Sequence, residues 1–132
     1  MATRARKDIK KLSTAIKRGL KIAKENGIRH NIGSLRTLDE NAKVCSVCAL
    51  GYGVLGITGV KNFPANATDA YGIVQKLNGV SEPSICFASK ARDLTNRPFY
   101  SDARVIANVM ELNDNVHVEP EAVVELLEAC GL

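Results

Sequence analysis

The run from Val47 to Ile57 contains no charged residue and has glycine at positions 51, 53 and 56. Each glycine costs a helix about 1 kcal/mol relative to alanine. A helix built on this run therefore holds only if it is buried and approached closely by its neighbours, because only tertiary packing offsets the loss. Any fold available to the chain must place such a segment at its centre. Gly51-Tyr-Gly53-Val-Leu-Gly56 also matches G-x-G-x-x-G, the dinucleotide-binding fingerprint. That fingerprint requires a three-turn helix beginning inside the motif and a later strand that delivers an acid to a ribose. Only a few residues separate Gly56 from Gly59 and Pro64, and no such strand follows. The glycines are read as sites of close backbone packing.

The flanking sequence reads mostly as helix. From Asp8 to Asn26, Ile9, Leu12, Ile16 and Ala23 recur with helical period between lysines and arginines, and Gly27-Ile28 supplies a left-handed stop with an apolar residue to fold back. Residues 29–45 lack helical period, and Asp39-Glu40-Asn41 is turn chemistry, compatible with a short β-hairpin. Asn66 caps a helix bearing Ala70, Ile73, Val74 and Leu77, which Asn78-Gly79 stops. Ser84 to Arg92 reads as a short helix, and Thr95 to Tyr100 as a loop broken by Pro98. Ser101 is read as the cap of a helix running to about Leu112, with Asn113-Asp114-Asn115 as its break and Val116 to Val118 briefly extended. Pro120 opens a last helix. The expectation is a mainly α fold: one compact helical domain spanning 1–132, with four to six helices, a short hairpin near 30–45, and residues 1–7 as a basic tail that need not be ordered.

Composition excludes several classes. An apolar fraction of 45% with 24% charged residues is that of an ordinary globular protein. No apolar stretch is long enough to span a bilayer, and no apolar signal core follows the basic N-terminus, so a cytoplasmic location with no membrane partner is expected. Cys45, Cys48, Cys86 and Cys130 are irregularly spaced and are taken as free thiols of a reducing compartment. The net charge of +4 hides a separation, with nine Lys/Arg against one acid in residues 1–24 and six acids without Lys or Arg in residues 111–132.

Three constellations carry candidate chemistry. Cys45-x-x-Cys48 has the spacing of half a zinc site or of a redox dithiol, but no second pair accompanies it, so neither a metal nor a cofactor is assigned. A thiol nucleophile needs a base within reach and a group to orient that base. The candidates are Cys48 as nucleophile, His117 or His30 as base, and Asn113 or Asp114 as the orienting group. The basic first helix, with Arg4, Arg6, Lys7, Lys10, Lys11, Lys17, Arg18 and Lys21, and Lys24 beyond them, is a candidate phosphate-binding face.

Cys48-Ala-Leu-Gly51, preceded by an amphipathic helix and a hairpin and followed by Leu112-Asn113-Asp114 and a Val-Val-x-Leu-Leu helix, resembles an uncharacterised family of small bacterial and phage proteins. In that family a Cys-Ala-Leu-Gly-Ala segment accompanies a late Trp-Asn-Asp before the last helix. Here Tyr52-Gly53 and Leu112 stand where alanine and tryptophan are usual. The resemblance covers roughly residues 8–130, brings no activity with it, and implies that Cys48-Ala-Leu-Gly51 meets Asn113-Asp114 in space. On this reading Asn113 and Asp114 cap the backbone of the helix that carries Cys48.

With no complete catalytic or cofactor constellation, the expected function is that of a small non-enzymatic interaction or regulatory protein of phage or mobile-element type. Its partner is a macromolecule, a protein rather than a nucleic acid. A cysteine-dependent enzyme and a nucleic-acid-binding protein are the alternatives.

Overall fold

A computed structural model describes residues 5–132, and Met1 to Arg4, including the candidate phosphate ligand Arg4, lie outside the described residues. The fold is mainly α, and the described residues form six helices and a small three-stranded sheet. Helix α1 spans Leu12–Asn26 and starts later than its period suggests. Residues 6–10 spend backbone groups on other elements instead: the Arg6 amide donates to the Ile57 carbonyl at 2.6 Å, and the Lys10 carbonyl accepts from the Asn78 amide at 2.8 Å. The basic tail is thus tied to the fold from Arg6 on. Gly27 takes the left-handed conformation at φ 67°, and Ile28 folds back as a buried residue whose amide donates to Ala23.

The extended region is richer than a hairpin. Strands β2 (Arg36–Leu38) and β3 (Val44–Val47) pair antiparallel around a turn in which Asp39 accepts from the amides of Asn41 and Lys43. Strand β1 (Arg29–His30) adds in parallel on the other side of β3, with His30 opposite Val47. The sheet order is therefore β1-β3-β2.

Helix α2 (Ala49–Thr58) follows β3 directly, and all ten of its residues are buried. Its glycines do what its composition demands. A Cβ on Gly56 would lie 1.8 Å from the Ala15 carbonyl oxygen of α1, and one on Gly19 of α1 would lie 1.8 Å from the Tyr52 carbonyl oxygen. The two helices touch backbone to backbone. Where α2 ends, the Arg18 guanidinium donates to the Gly56 carbonyl at 2.6 Å, placing a cation at the negative end of the helix.

Helix α3 (Ala67–Gln75) is capped by Asn66, whose side chain accepts from Thr68 and Asp69, and α4 (Ile85–Thr95) by Ser84, which accepts from Phe87. Helix α5 (Val105–Glu111) begins four residues after Ser101, which sits in a turn. The reason is tertiary, since the Val105 and Ile106 amides donate to the carbonyls of Glu82 and Val80. Asn113-Asp114-Asn115 does not break the helical path. It continues as a π-turn, Leu112–Val116, which His117 ends in the left-handed conformation at φ 63°. Helix α6 (Pro120–Ala129) closes the fold with proline in its first turn. One hydrophobic cluster draws on all six helices, with Leu12, Ile16, Leu50, Leu55, Phe87 and Leu127 among its most buried members.

The expectation of four free thiols is corrected. Cys86, at the start of α4, and Cys130, just after α6, form a disulfide across 44 positions of sequence, with Cα atoms 5.9 Å apart. Packing of α4 against α6 brings the two ends together, a proximity with no local trace in the spacing.

Candidate functional site

The π-turn aims one side chain into the base of α2. Asn113 is 1% exposed and uses all four of its hydrogen-bonding directions. Its Oδ1 accepts from the Ala49 amide at 3.0 Å and lies 2.6 Å from His30 Nε2, and its Nδ2 donates to the Asn31 carbonyl at 3.3 Å and to Asp114 Oδ1 at 2.8 Å. Asp114 Oδ1 also accepts from the Gly33 amide at 3.0 Å. One residue thus joins β1, the start of α2 and the turn after α5. A π-turn closes i→i+5 rather than i→i+4 hydrogen bonds, which rotates its side chains away from α-helical spacing, and such turns recur at functional sites.

Cys48 occupies the N-cap position of α2 but forms no side-chain cap. The cap of that helix is Asn113, arriving from 64 positions later. The Cys48 thiol is 6% exposed, and burial pushes its pKa above the ordinary value. The Gly51 and Leu50 amides of the first turn oppose the rise, and the Asp114 carboxylate adds to it. Burial dominates, so the sulfur is held as a thiol. Two tyrosines complete the surroundings. The Tyr52 ring lies 5.9 Å from the His30 ring, and Tyr71 donates its hydroxyl to Met110 Sδ at 3.5 Å. Both phenols are raised, first by burial, then by nearby acids and Cys48.

Of the four residues grouped as catalytic from sequence, Cys48, Asn113 and Asp114 are brought together and His117 is not. His117 is exposed and, among the described residues, no hydrogen bond joins it to the other three. The imidazole at Asn113 is that of His30. The signal for His30 was its place in β1, which pairs with the strand leading into Cys48, but a two-residue parallel strand leaves no readable pattern. None of Cys48, His30, Asn113 and Asp114 lines either of two surface hollows of about 770 and 720 Å³.

The other constellations separate. Cys45 is half-exposed, with its sulfur 3.2 Å from Thr37 Oγ1, and neither it nor Cys48 is in a disulfide. No group of three or more His, Cys, Asp or Glu among the described residues is placed to hold a metal. On the basic face, Arg6 pairs with Asp8 at 2.7 Å, Lys17 pairs with Glu128 of α6 at 3.1 Å, and Arg18 turns inward to Gly56. Lys7, Lys10, Lys11, Lys21 and Lys24 remain exposed. No helix of the described residues is long and apolar enough to cross a membrane. No protein-family model matches the chain, and neither a curated protein nor a solved structure matches it.

Proposed function

We propose that the chain is a non-enzymatic interaction protein that binds another protein through its surface, with the Cys48 and Asn113 region as its architectural keystone. The carrying observation is the complete use of Asn113. All four of its hydrogen-bonding directions end on groups of the fold, two of them backbone, which leaves none for a substrate. A partner surface is favoured by the exposed apolar side chains: of the five large ones among the described residues, Ile85, Leu94 and Tyr100 fall on α4 and the loop after it. Ile85 and Tyr100 are the most exposed of the five, at 74% and 70%. The test is capture of a protein from cells of the source organism, compared between wild type and an Ile85→Glu, Tyr100→Glu double variant of unchanged circular dichroism. A protein retained by the wild type and lost by the variant supports the reading, and equal retention or none overturns it.

A second reading, a cysteine-dependent enzyme with Cys48 as nucleophile, is favoured by one contact. His30 on Asn113 Oδ1 is the base-and-orienter pair that such chemistry uses. It requires Cys48 to alkylate faster than free cysteine near pH 7. Site-resolved alkylation decides between the two readings, and on the architectural reading Cys48 reacts more slowly than free cysteine.

A further inference from the structure

The hollow of about 770 Å³ lies on another face from the Cys48 region, where residues 5–10 cross the end of α2 and the end of α3. Its floor is apolar: Ile9, Ile57 and Leu77 are buried and Ile73 is half-buried. Its rim carries Lys7, Lys10 and Lys76, all exposed, and no acid is among its lining residues. The backbone that shapes it is fixed by the Arg6 amide on the Ile57 carbonyl and the Asn78 amide on the Lys10 carbonyl. The volume falls within the roughly 300–1,000 Å³ of small-molecule sites, which combine an apolar lining with a few convergent polar groups.

We propose that this hollow binds a small amphiphilic anion in monomeric form: a single alkyl chain lying on Ile9, Ile57, Ile73 and Leu77, with a carboxylate or phosphate headgroup held by Lys7, Lys10 and Lys76. The chemistry of this one concavity is divided between an apolar floor and a cationic rim. Lysine stems extend an apolar surface while their ammonium groups stay in water, so a floor of three isoleucines and a leucine under three lysines matches a ligand with an apolar body and one anionic end. A neutral alkyl ligand would leave the cationic rim uncompensated, and an alkyl cation would meet it with like charge. Exposed charges at the rim also make the affinity fall as salt rises. The proposal stands independently of the interaction reading above, because it uses none of Ile85, Leu94, Tyr100 or Cys48.

Decanoate and decyl phosphate below their micellar concentrations are the probes, with decanol and decyltrimethylammonium as controls of equal chain length. Titration calorimetry is expected to show saturable binding of both anions, at least about tenfold weaker binding of decanol, and none of the cation. Lys10→Glu with Lys76→Glu is expected to weaken anion binding by about tenfold or more, and Lys43→Glu, away from the hollow, to leave it within about twofold. The substituted lysines are exposed, so folding is preserved and is checked by circular dichroism. Amide shifts induced by decanoate are expected at Ile57, Thr58 and Lys76, which gives a readout on the wild-type protein alone. Equal affinity for decanol, shifts confined to another face, or indifference to Lys10→Glu with Lys76→Glu would each overturn the proposal. Binding to anionic phospholipid vesicles without binding of monomeric decanoate would also overturn it, in favour of a membrane surface.

Discussion

The amide of Ala49 is capped by the side chain of Asn113, 3.0 Å away and 64 positions later in the chain. Removing that side chain strands the Ala49 amide and the Asn31 carbonyl inside the fold, and each buried unpaired group costs about 1–3 kcal/mol. Asn113→Ala is expected to lose about 2–5 kcal/mol in urea denaturation. Asn113→Asp keeps the acceptor but loses both donors and sets a second carboxylate against Asp114, so it is also expected to destabilise strongly, whereas His117→Asn, which tolerates the left-handed conformation of that exposed position, changes stability by under about 0.5 kcal/mol.

The glycines inside the helices divide into two kinds. Gly19→Ala and Gly56→Ala each place a methyl group 1.8 Å from a backbone oxygen of the facing helix, so α1 and α2 must separate and the fold is expected to be lost or weakened by more than about 3 kcal/mol. Gly72, in the middle of α3, has open space where a methyl group would stand, with no atom within 4 Å. Gly72→Ala is therefore expected to stabilise by about 0.5–1 kcal/mol. Thermal unfolding of the three variants checks both directions.

The Cys86–Cys130 bond closes a long loop and removes entropy from the unfolded chain. Reduction, or Cys86→Ser with Cys130→Ser, is expected to lower stability by about 2–4 kcal/mol. Thiol titration of the denatured, unreduced protein is expected to find two reactive sulfurs, Cys45 and Cys48, and four after reduction.

Cys48 gives a pH dependence whose sign follows from its raised pKa. Above about pH 8.5 the unfolded chain releases this proton before the folded one does, so stability is fully present below that pH and falls as pH rises through the folded value. Tyr52 and Tyr71, also raised, extend the loss above about pH 10. Denaturation midpoints between about pH 7 and 10 are expected to fall in the wild type and to fall less in Cys48→Ala.

Much of this fold can be read along the chain because its signals are local. Asn66 caps α3 with its own side chain, Gly27 and Ile28 stop α1 by conformation and burial, and the charge-free glycine run can be accommodated only as a buried, tightly packed helix. What escapes is held by distant partners. Asn113-Asp114-Asn115 has turn chemistry, yet contacts with α2 and β1 keep it coiled as a π-turn. Ser101 has the chemistry of a cap, yet α5 waits for Val105 because the 80–82 loop supplies acceptors for its first amides. Arg18 has the period of the basic face, but its guanidinium is drawn to the end of α2. His30 and His117 are equivalent as letters, and only the parallel pairing of β1 with β3 puts the first beside Asn113.

The long reach of Asn113 sets an order of events during synthesis. When α2 emerges from the ribosome, the residue that completes its first turn has yet to be translated, and at about 5–20 residues per second the intervening 64 positions take roughly 3 to 13 seconds. For that interval the most apolar helix of the chain waits unfinished, with α1 already made and able to cover its glycine face.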